Sequence, residues 1–145
     1  MPDITGFGHV DLSVTDLDRS EAWYTRVLGA KRVVAQRVDD PGYEVRVFVE
    51  PHSMTLFALF RHDRNADQPT TFDFNRSGLD HVALAVADRE SLDAWEKHLT
   101  ALGIGHHGVE SDAFANAIVA KDPDGIPIEF YHFAAADQLA AMIAS

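Results

Sequence analysis

Gly8-His9-Val10-Asp11-Leu12-Ser13-Val14-Thr15-Asp16 is written twice in this chain, the second time as Asp80-His81-Val82-Ala83-Leu84-Ala85-Val86-Ala87-Asp88. The offset is 72 residues (81 minus 9), and carried to residue 23 it pairs His9/His81, Val10/Val82, Leu12/Leu84, Val14/Val86, Asp16/Asp88, Ala22/Ala94 and Trp23/Trp95. Seven identities over residues 9–23 at one fixed offset mark an internal duplication. The two histidines therefore occupy equivalent places in two halves.

Around the first copy, Phe7, His9, Asp11 and Ser13 alternate with Val10, Leu12 and Val14. That period of two predicts a strand over 6–14 with one apolar and one polar face. Asp16 is suited to cap a helix, in which Leu17, Ser20, Trp23, Tyr24, Val27 and Leu28 recur at helical spacing until Gly29. Strands are expected near 31–38, 43–50 and 54–61, separated by Asp39-Asp40-Pro41-Gly42 and Glu50-Pro51-His52-Ser53. The second half repeats the plan, with a strand over 79–87, a helix from Asp88 to about Leu102, and strands near 104–109, 114–121 and 126–133. The chain reads as a β-α-β-β-β module over 1–62, a polar connector over 63–78, a second module over 79–133 and an alanine-rich helix over 134–145. Trp23 and Trp95 match on the two helices and are read as core.

The chain has 145 residues, enough for one compact domain or two small modules sharing a core. Its formal net charge of −11 opposes binding to nucleic acid or an anionic membrane. No apolar run has the length of a membrane span, and the start lacks the basic and apolar segments of a signal peptide. The absence of cysteine excludes disulfides, thiolate metal sites and a cysteine nucleophile, and fits a cytoplasmic location.

The 72-residue offset also sets Glu129 against Phe57. A mid-strand carboxylate among apolar neighbours is costly unless paired or coordinated. Taken singly, a strand histidine is more often structural, and a strand glutamate as readily faces water. Repetition makes His9, His81 and Glu129 a candidate metal set. Two imidazoles and a carboxylate with open positions suit Fe(II), and Mn, Ni or Zn occupy related sites. Alternation adds Asp11 and Ser13 to the side of His9, and Tyr131 to that of Glu129. Asp11 reads as a partner orienting a ligand, as a general base, or as a solvated carboxylate. Tyr131 reads as a hydrogen-bond donor to substrate or as a core aromatic. His106 and His107 read as a surface pair, with His107 the sharper candidate for a base. Phe57 and Leu59 are expected to turn inward and form an apolar wall of the site.

The paired modules, the His-Val-x-Leu-x-Val-x-Asp starts and the ending Asp122-Pro123-Asp124-Gly125-Ile126-Pro127-Ile128-Glu129-Phe130 resemble the vicinal oxygen chelate superfamily over residues 6–133. That superfamily includes glyoxalase I, extradiol dioxygenases, bleomycin-binding proteins and fosfomycin-modifying enzymes. The resemblance implies an α+β fold in which two repeated modules form a cup-shaped mixed β-sheet with flanking helices. It implies metal ligands from the first and last strand of each module, matched here at His9, His81 and Glu129. Phe57 takes the fourth place, which departs from glyoxalase I. The His-His-Glu set is similar to that of extradiol dioxygenases and fosfomycin-modifying enzymes. His62, His107 and Tyr131 are the residues available for the base and tyrosine of an extradiol site. No Lys or Arg occurs from Asp122 to Ser145, so a phosphonate site built there would lack its cations.

The expectation is an enzyme that holds a divalent metal ion, Fe(II), Mn(II), Ni(II) or Zn(II), and chelates a small substrate through vicinal oxygens. Ring cleavage, or an isomerase or lyase step through an enolate, would follow. The alternative is a non-catalytic protein that sequesters a drug or metabolite, as bleomycin-binding relatives do without metal ligands. A homodimer is expected, with each cup closed within one chain or by exchange between two.

Overall fold

Residues 2–4, 6–65, 72–135, 138 and 142–143 are described in the computed structural model, which divides into two units, Met1–Thr71 and Phe72–Ser145. The first unit runs β1 (Val10–Ser13), α1 (Leu17–Leu28), β2 (Lys31–Val38), β3 (Tyr43–Glu50) and β4 (Thr55–His62). A short 3-10 turn, Asp63–Asn65, follows. The second unit runs β5 (Val82–Ala85), α2 (Arg89–Ala101), β6 (Glu110–Ser111), β7 (Ala115–Lys121) and β8 (Pro127–Phe133). Their sheets have the same topology, β1-β4-β3-β2 and β5-β8-β7-β6. In each, the first strand lies parallel to the last and the other neighbours are antiparallel. The fold is thus α+β, built from two β-α-β-β-β modules.

The helix signals act as their chemistry dictates. The Asp16 carboxylate accepts from the N–H groups of Asp18 and Arg19 at 2.9 and 3.0 Å, satisfying donors that the first turn leaves open. Gly29 closes α1 in the left-handed region at φ 66°. Asp88 repeats the cap on α2 by accepting from the Ser91 N–H and hydroxyl at 2.8 and 2.7 Å.

One face of each sheet packs on its helix. Tyr24, buried on α1, meets Phe57 with ring centroids 5.1 Å apart, and Phe57 stacks on Phe48 at 5.3 Å. In the second unit Trp95 stacks on Phe130 at 3.9 Å, beside the buried Leu92, Leu99, Ile118 and Ile128. Phe57 and Leu59 therefore belong to the helix-packed core, since their parallel partners are Val10 and Leu12 of the apolar face of β1. The expectation that they form an inward site wall is wrong.

The cause is a turn of different length. Val49 pairs with Leu56 across residues 50–55, whereas its counterpart Lys121 pairs with Pro127 across residues 122–126, one residue fewer. The repeat offset is 72 in the third strand of each module (121 minus 49) and 71 in the fourth (127 minus 56). A one-residue slip moves a side chain to the other face of a strand. The structural counterpart of Glu129 is Ala58, and that of Phe57 is the buried Ile128. No ligand stands at the fourth place on either reading, but the residue there is an alanine.

Two further expectations change. The strand over 6–14 narrows to β1, so His9, like His81 before β5, immediately precedes its strand. The strand over 104–109 does not form. Its counterpart β2 has eight residues, but β6 has only Glu110–Ser111. Glycines at 103, 105 and 108 weaken extended pairing, and Gly108 takes φ +90°. His106 ties this stretch to α2 instead. Its Nδ1 accepts from the Gly108 N–H at 3.1 Å, which leaves Nε2 to donate to the Thr100 hydroxyl at 2.9 Å. The helix expected over 134–145 falls largely outside the described residues.

Candidate functional site

In the second unit, β5 and β8 lie in parallel register with Ala83 opposite Glu129. His81 stands two residues before Ala83 on the same face, the one turned away from α2. Its Nδ1 lies 2.6 Å from Asp80 Oδ1, and its Nε2 lies 3.4 Å from Glu129 Oε2. Side-chain exposure is 46% for His81 and 18% for Glu129, so the carboxylate is the more enclosed partner.

An ionised carboxylate only accepts, so the proton between His81 and Asp80 belongs to Nδ1. In the neutral ring this turns the Nε2 lone pair toward Glu129. Two electron pairs facing each other at that distance repel, and a cation or a proton between them turns the repulsion into attraction. Metal–ligand bonds of 2.0–2.2 Å at angles between octahedral and tetrahedral put neighbouring donors about 2.8–3.6 Å apart. The His81–Glu129 separation falls within that range. Asp80 adds the carboxylate–histidine arrangement that commonly orients a metal-binding imidazole.

The first unit carries a different pair. His9 Nε2 lies 3.6 Å from Asp11 Oδ2, with side-chain exposures of 56% and 44%. Asp11 is opposite Ala58 on β4. The three expected ligands thus divide, His9 in the first unit and His81 with Glu129 in the second. Neither unit by itself gathers three histidine or carboxylate side chains as a ligand set, among the described residues.

Tyr131 lies two residues beyond Glu129 on the same face, opposite Ala85 and parallel to the ring of Phe133 at 6.4 Å. It is half-buried. No contact joins His107 to Glu129 or His81 among those described. His107 is exposed in the segment before β6, and β7 separates β6 from β8. Two residues escaped the sequence reading, Asp80 and Ala58. Asp80 carried a signal, since it is the acid beside a repeated histidine. Ala58 carried one in the match of Phe57-Ala58-Leu59-Phe60 to Ile128-Glu129-Phe130-Tyr131, which sets Phe57, Leu59 and Phe60 against Ile128, Phe130 and Tyr131.

Residues 6–130 match the family model described as the Glyoxalase/Bleomycin resistance protein/Dioxygenase superfamily. The chain belongs to that superfamily. The crystal structure of a glyoxylase/bleomycin resistance protein/dioxygenase domain from Frankia sp. EAN1pec is 30% identical, with a TM-score of 0.81 over 90% of this chain and 99% of that one. The catechol-2,3-dioxygenase of Bacillus subtilis (strain 168) is 31% identical over an alignment of 129 residues that covers 85% of this chain but only 39% of that protein. A mutant of the fosfomycin resistance protein FosX from Listeria monocytogenes, solved with Mn(II) and 1S,2S-dihydroxypropylphosphonic acid, shares the fold. Its TM-score is 0.68 at 17% identity, covering 94% of this chain and 99% of that one. This member of the glyoxalase/bleomycin resistance/dioxygenase superfamily has, among its described residues, no helix long and apolar enough to cross a membrane.

Proposed function

We propose that the protein is a divalent-metal-dependent enzyme acting on a small substrate with two adjacent oxygens. The reaction is either ring cleavage of the extradiol type or an isomerase or lyase step. The observation that carries this reading is the approach of His81 Nε2 to Glu129 Oε2 at 3.4 Å, with the Nδ1 side held by Asp80. His81 and Glu129 would hold Fe(II), Mn(II), Ni(II) or Zn(II), and the repeat nominates His9 as the further imidazole. When bound, such a cation polarises the substrate oxygens that chelate it.

The chain's own groups orient and discriminate. Asp80 keeps the His81 proton on Nδ1 and so keeps Nε2 available. Tyr131, on the face of Glu129, can donate its hydroxyl proton in a hydrogen bond to a substrate oxygen. No lysine or arginine lies on β8, so the site favours oxygens of diols and hydroxyketones over a phosphonate. The working species is a homodimer on this reading, because β2 is an edge strand whose residues 31–37 are exposed and a second copy would cover it.

The test is elemental analysis of untagged protein beside His9→Ala, His81→Ala and Glu129→Ala, followed by oxygen-uptake and product assays on catechols and α-hydroxyketones. About one divalent metal per wild-type chain, lost in all three variants, is the expected result. A wild type that stays metal-free after incubation with each of the four ions would overturn the enzyme reading and leave a sequestering protein.

A further inference from the structure

We propose that the first unit binds a small zwitterion, of the class of polar α-amino acids, in a cavity between the start of α1 and the helix-packed face of its sheet. The cavity measures about 340 Å³, and its polar lining is Thr15, Asp16, Asp18, Glu44, Arg46 and Arg61. That volume is near the lower end of the about 300–1,000 Å³ of small-molecule sites. Arg46 pairs with Leu59 across the β3–β4 ladder and Arg61 lies two residues beyond Leu59, so both belong to the face of the core. Asp11, opposite Ala58, belongs to the other face. Within this unit the cavity is therefore separate from the His9–Asp11 pair.

Most of the charge around the cavity is already matched. Asp16 accepts from the N–H groups of Asp18 and Arg19, and Arg46 bonds Asp18 at 2.7 Å and Glu21 at 2.5 Å. One guanidinium and one carboxylate are left over. Glu44 and Arg61 are directly opposed across the ladder and half-buried, yet neither takes part in a side-chain hydrogen bond or ion pair among the described residues. Opposed positions set Cβ atoms about 4.5–5.5 Å apart, close enough for the two to join each other. Instead both line the cavity. Arg61 acts on Asp16 and Asp63 through its field alone, while the Arg19 N–H and Arg37 chiefly hold those carboxyls below their ordinary range. A ligand carboxylate meets Arg61 in the two-pronged way a guanidinium favours, and its ammonium group meets Glu44. The repeat supplies a comparison. In the second module the ladder places of Glu44, Arg61 and Arg46 carry Asn116, His132 and the buried Ile118. The opposed arginine and glutamate thus belong to the first module and are not required by the shared fold.

L-serine is the probe, beside 3-hydroxypropionate, which lacks its ammonium group, and ethanolamine, which lacks its carboxylate. Titrations followed by backbone amide chemical shifts should show saturable binding of serine centred on Asp18, Glu44 and Arg61. Each single-charge analogue should bind at least about tenfold more weakly. Arg61→Gln and Glu44→Gln should each weaken serine by at least about tenfold, while Lys97→Gln, exposed on α2, leaves it unchanged. Circular dichroism separates lost binding from unfolding, and the analogue series on the wild type decides the matter if a variant does not fold. Absence of serine binding below about 10 mM would overturn the proposal. Equal affinity for 3-hydroxypropionate would make this an anion site, and equal affinity for ethanolamine a cation site, and either result overturns the zwitterion assignment. Shifts confined to residues outside the cavity overturn it as well.

Discussion

Met54 holds the left-handed backbone position, φ 58°, that Gly125 holds at φ 87° in the second module. Both residues close the hairpin that leads into the last strand. A side chain in this region costs about 1–2 kcal/mol, while a glycine costs about 0.5–1 kcal/mol in lost chain freedom. Met54 is 69% exposed, so removal of its side chain sacrifices little burial. Met54→Gly should therefore stabilise the protein by about 0.5–1 kcal/mol, read as a higher urea midpoint at unchanged slope. A lower midpoint would show that Met54 makes contacts worth more than its strain.

That same turn marks where the sequence stops being legible. The strand starts and helix caps could be read because Asp16, Asp88 and Gly29 act within one turn of themselves, and the repeat identified His9 with His81. Register is a different kind of information. It depends on how many residues separate Val49 from Leu56, and a constant offset carried through a turn of unequal length delivered Phe57 to the place of Ala58. The missing strand at 104–109 has another cause. There, the side-chain bonds of His106 compete with the ladder, and no periodicity announces such a competition.

Phe57→Glu and Phe57→Ala test the register directly. A core position loses about 3–5 kcal/mol when the ring is removed, and a carboxylate placed against Tyr24 and Phe48 costs more still. Both variants should show strongly reduced urea midpoints, Phe57→Glu the more so. Near-wild-type stability in Phe57→Glu would put residue 57 on the open face after all.

Glu21 joins α1 to the sheet. Its Oε2 accepts from Arg32 at 2.9 Å and from Arg46 at 2.5 Å, and only 22% of its side chain and 18% of that of Arg46 are exposed. Arg46 also reaches Asp18 at 2.7 Å, but Asp18 is 89% exposed. Glu21→Ala leaves two guanidinium groups without a shared acceptor and should cost about 1–2 kcal/mol. Asp18→Ala should cost less than about 1 kcal/mol and lose even that in high salt. Chemical denaturation at low and high ionic strength separates the two.

Acid sensitivity follows from three carboxylates. Hydrogen bonds from Arg37 at 2.7 and 2.6 Å hold the Asp63 carboxyl below its ordinary range. The Ser91 hydroxyl and N–H do the same for Asp88, and the Arg19 N–H for Asp16. A carboxyl with a depressed folded pKa contributes stability that is present above its unfolded value and is lost as pH falls through the folded one. Stability should therefore decline as pH drops below about 3.9, the ordinary aspartate value. Asp63→Asn should lower stability at neutral pH and flatten the decline, read from urea midpoints between pH 7 and pH 2.5. An unchanged slope would mean that the Arg37 contact is not held in solution.

Asp80 offers a test of orientation alone. Its side chain is 71% exposed and, among the described residues, its one ion-pair contact is with a nitrogen of His81, so its loss should leave stability within about 0.5 kcal/mol. Without it the imidazole proton is free to move to Nε2 and the ring free to turn, each of which removes the lone pair facing Glu129. Asp80→Ala should weaken Mn(II) or Co(II) binding about ten- to a hundredfold, in line with other outer partners of metal-binding histidines. Asp80→Asn keeps an acceptor for Nδ1 and should lose less. Wild-type affinity in Asp80→Ala would mean that His81 is held by packing on β5, and that the carboxylate beside it plays no part in presenting Nε2.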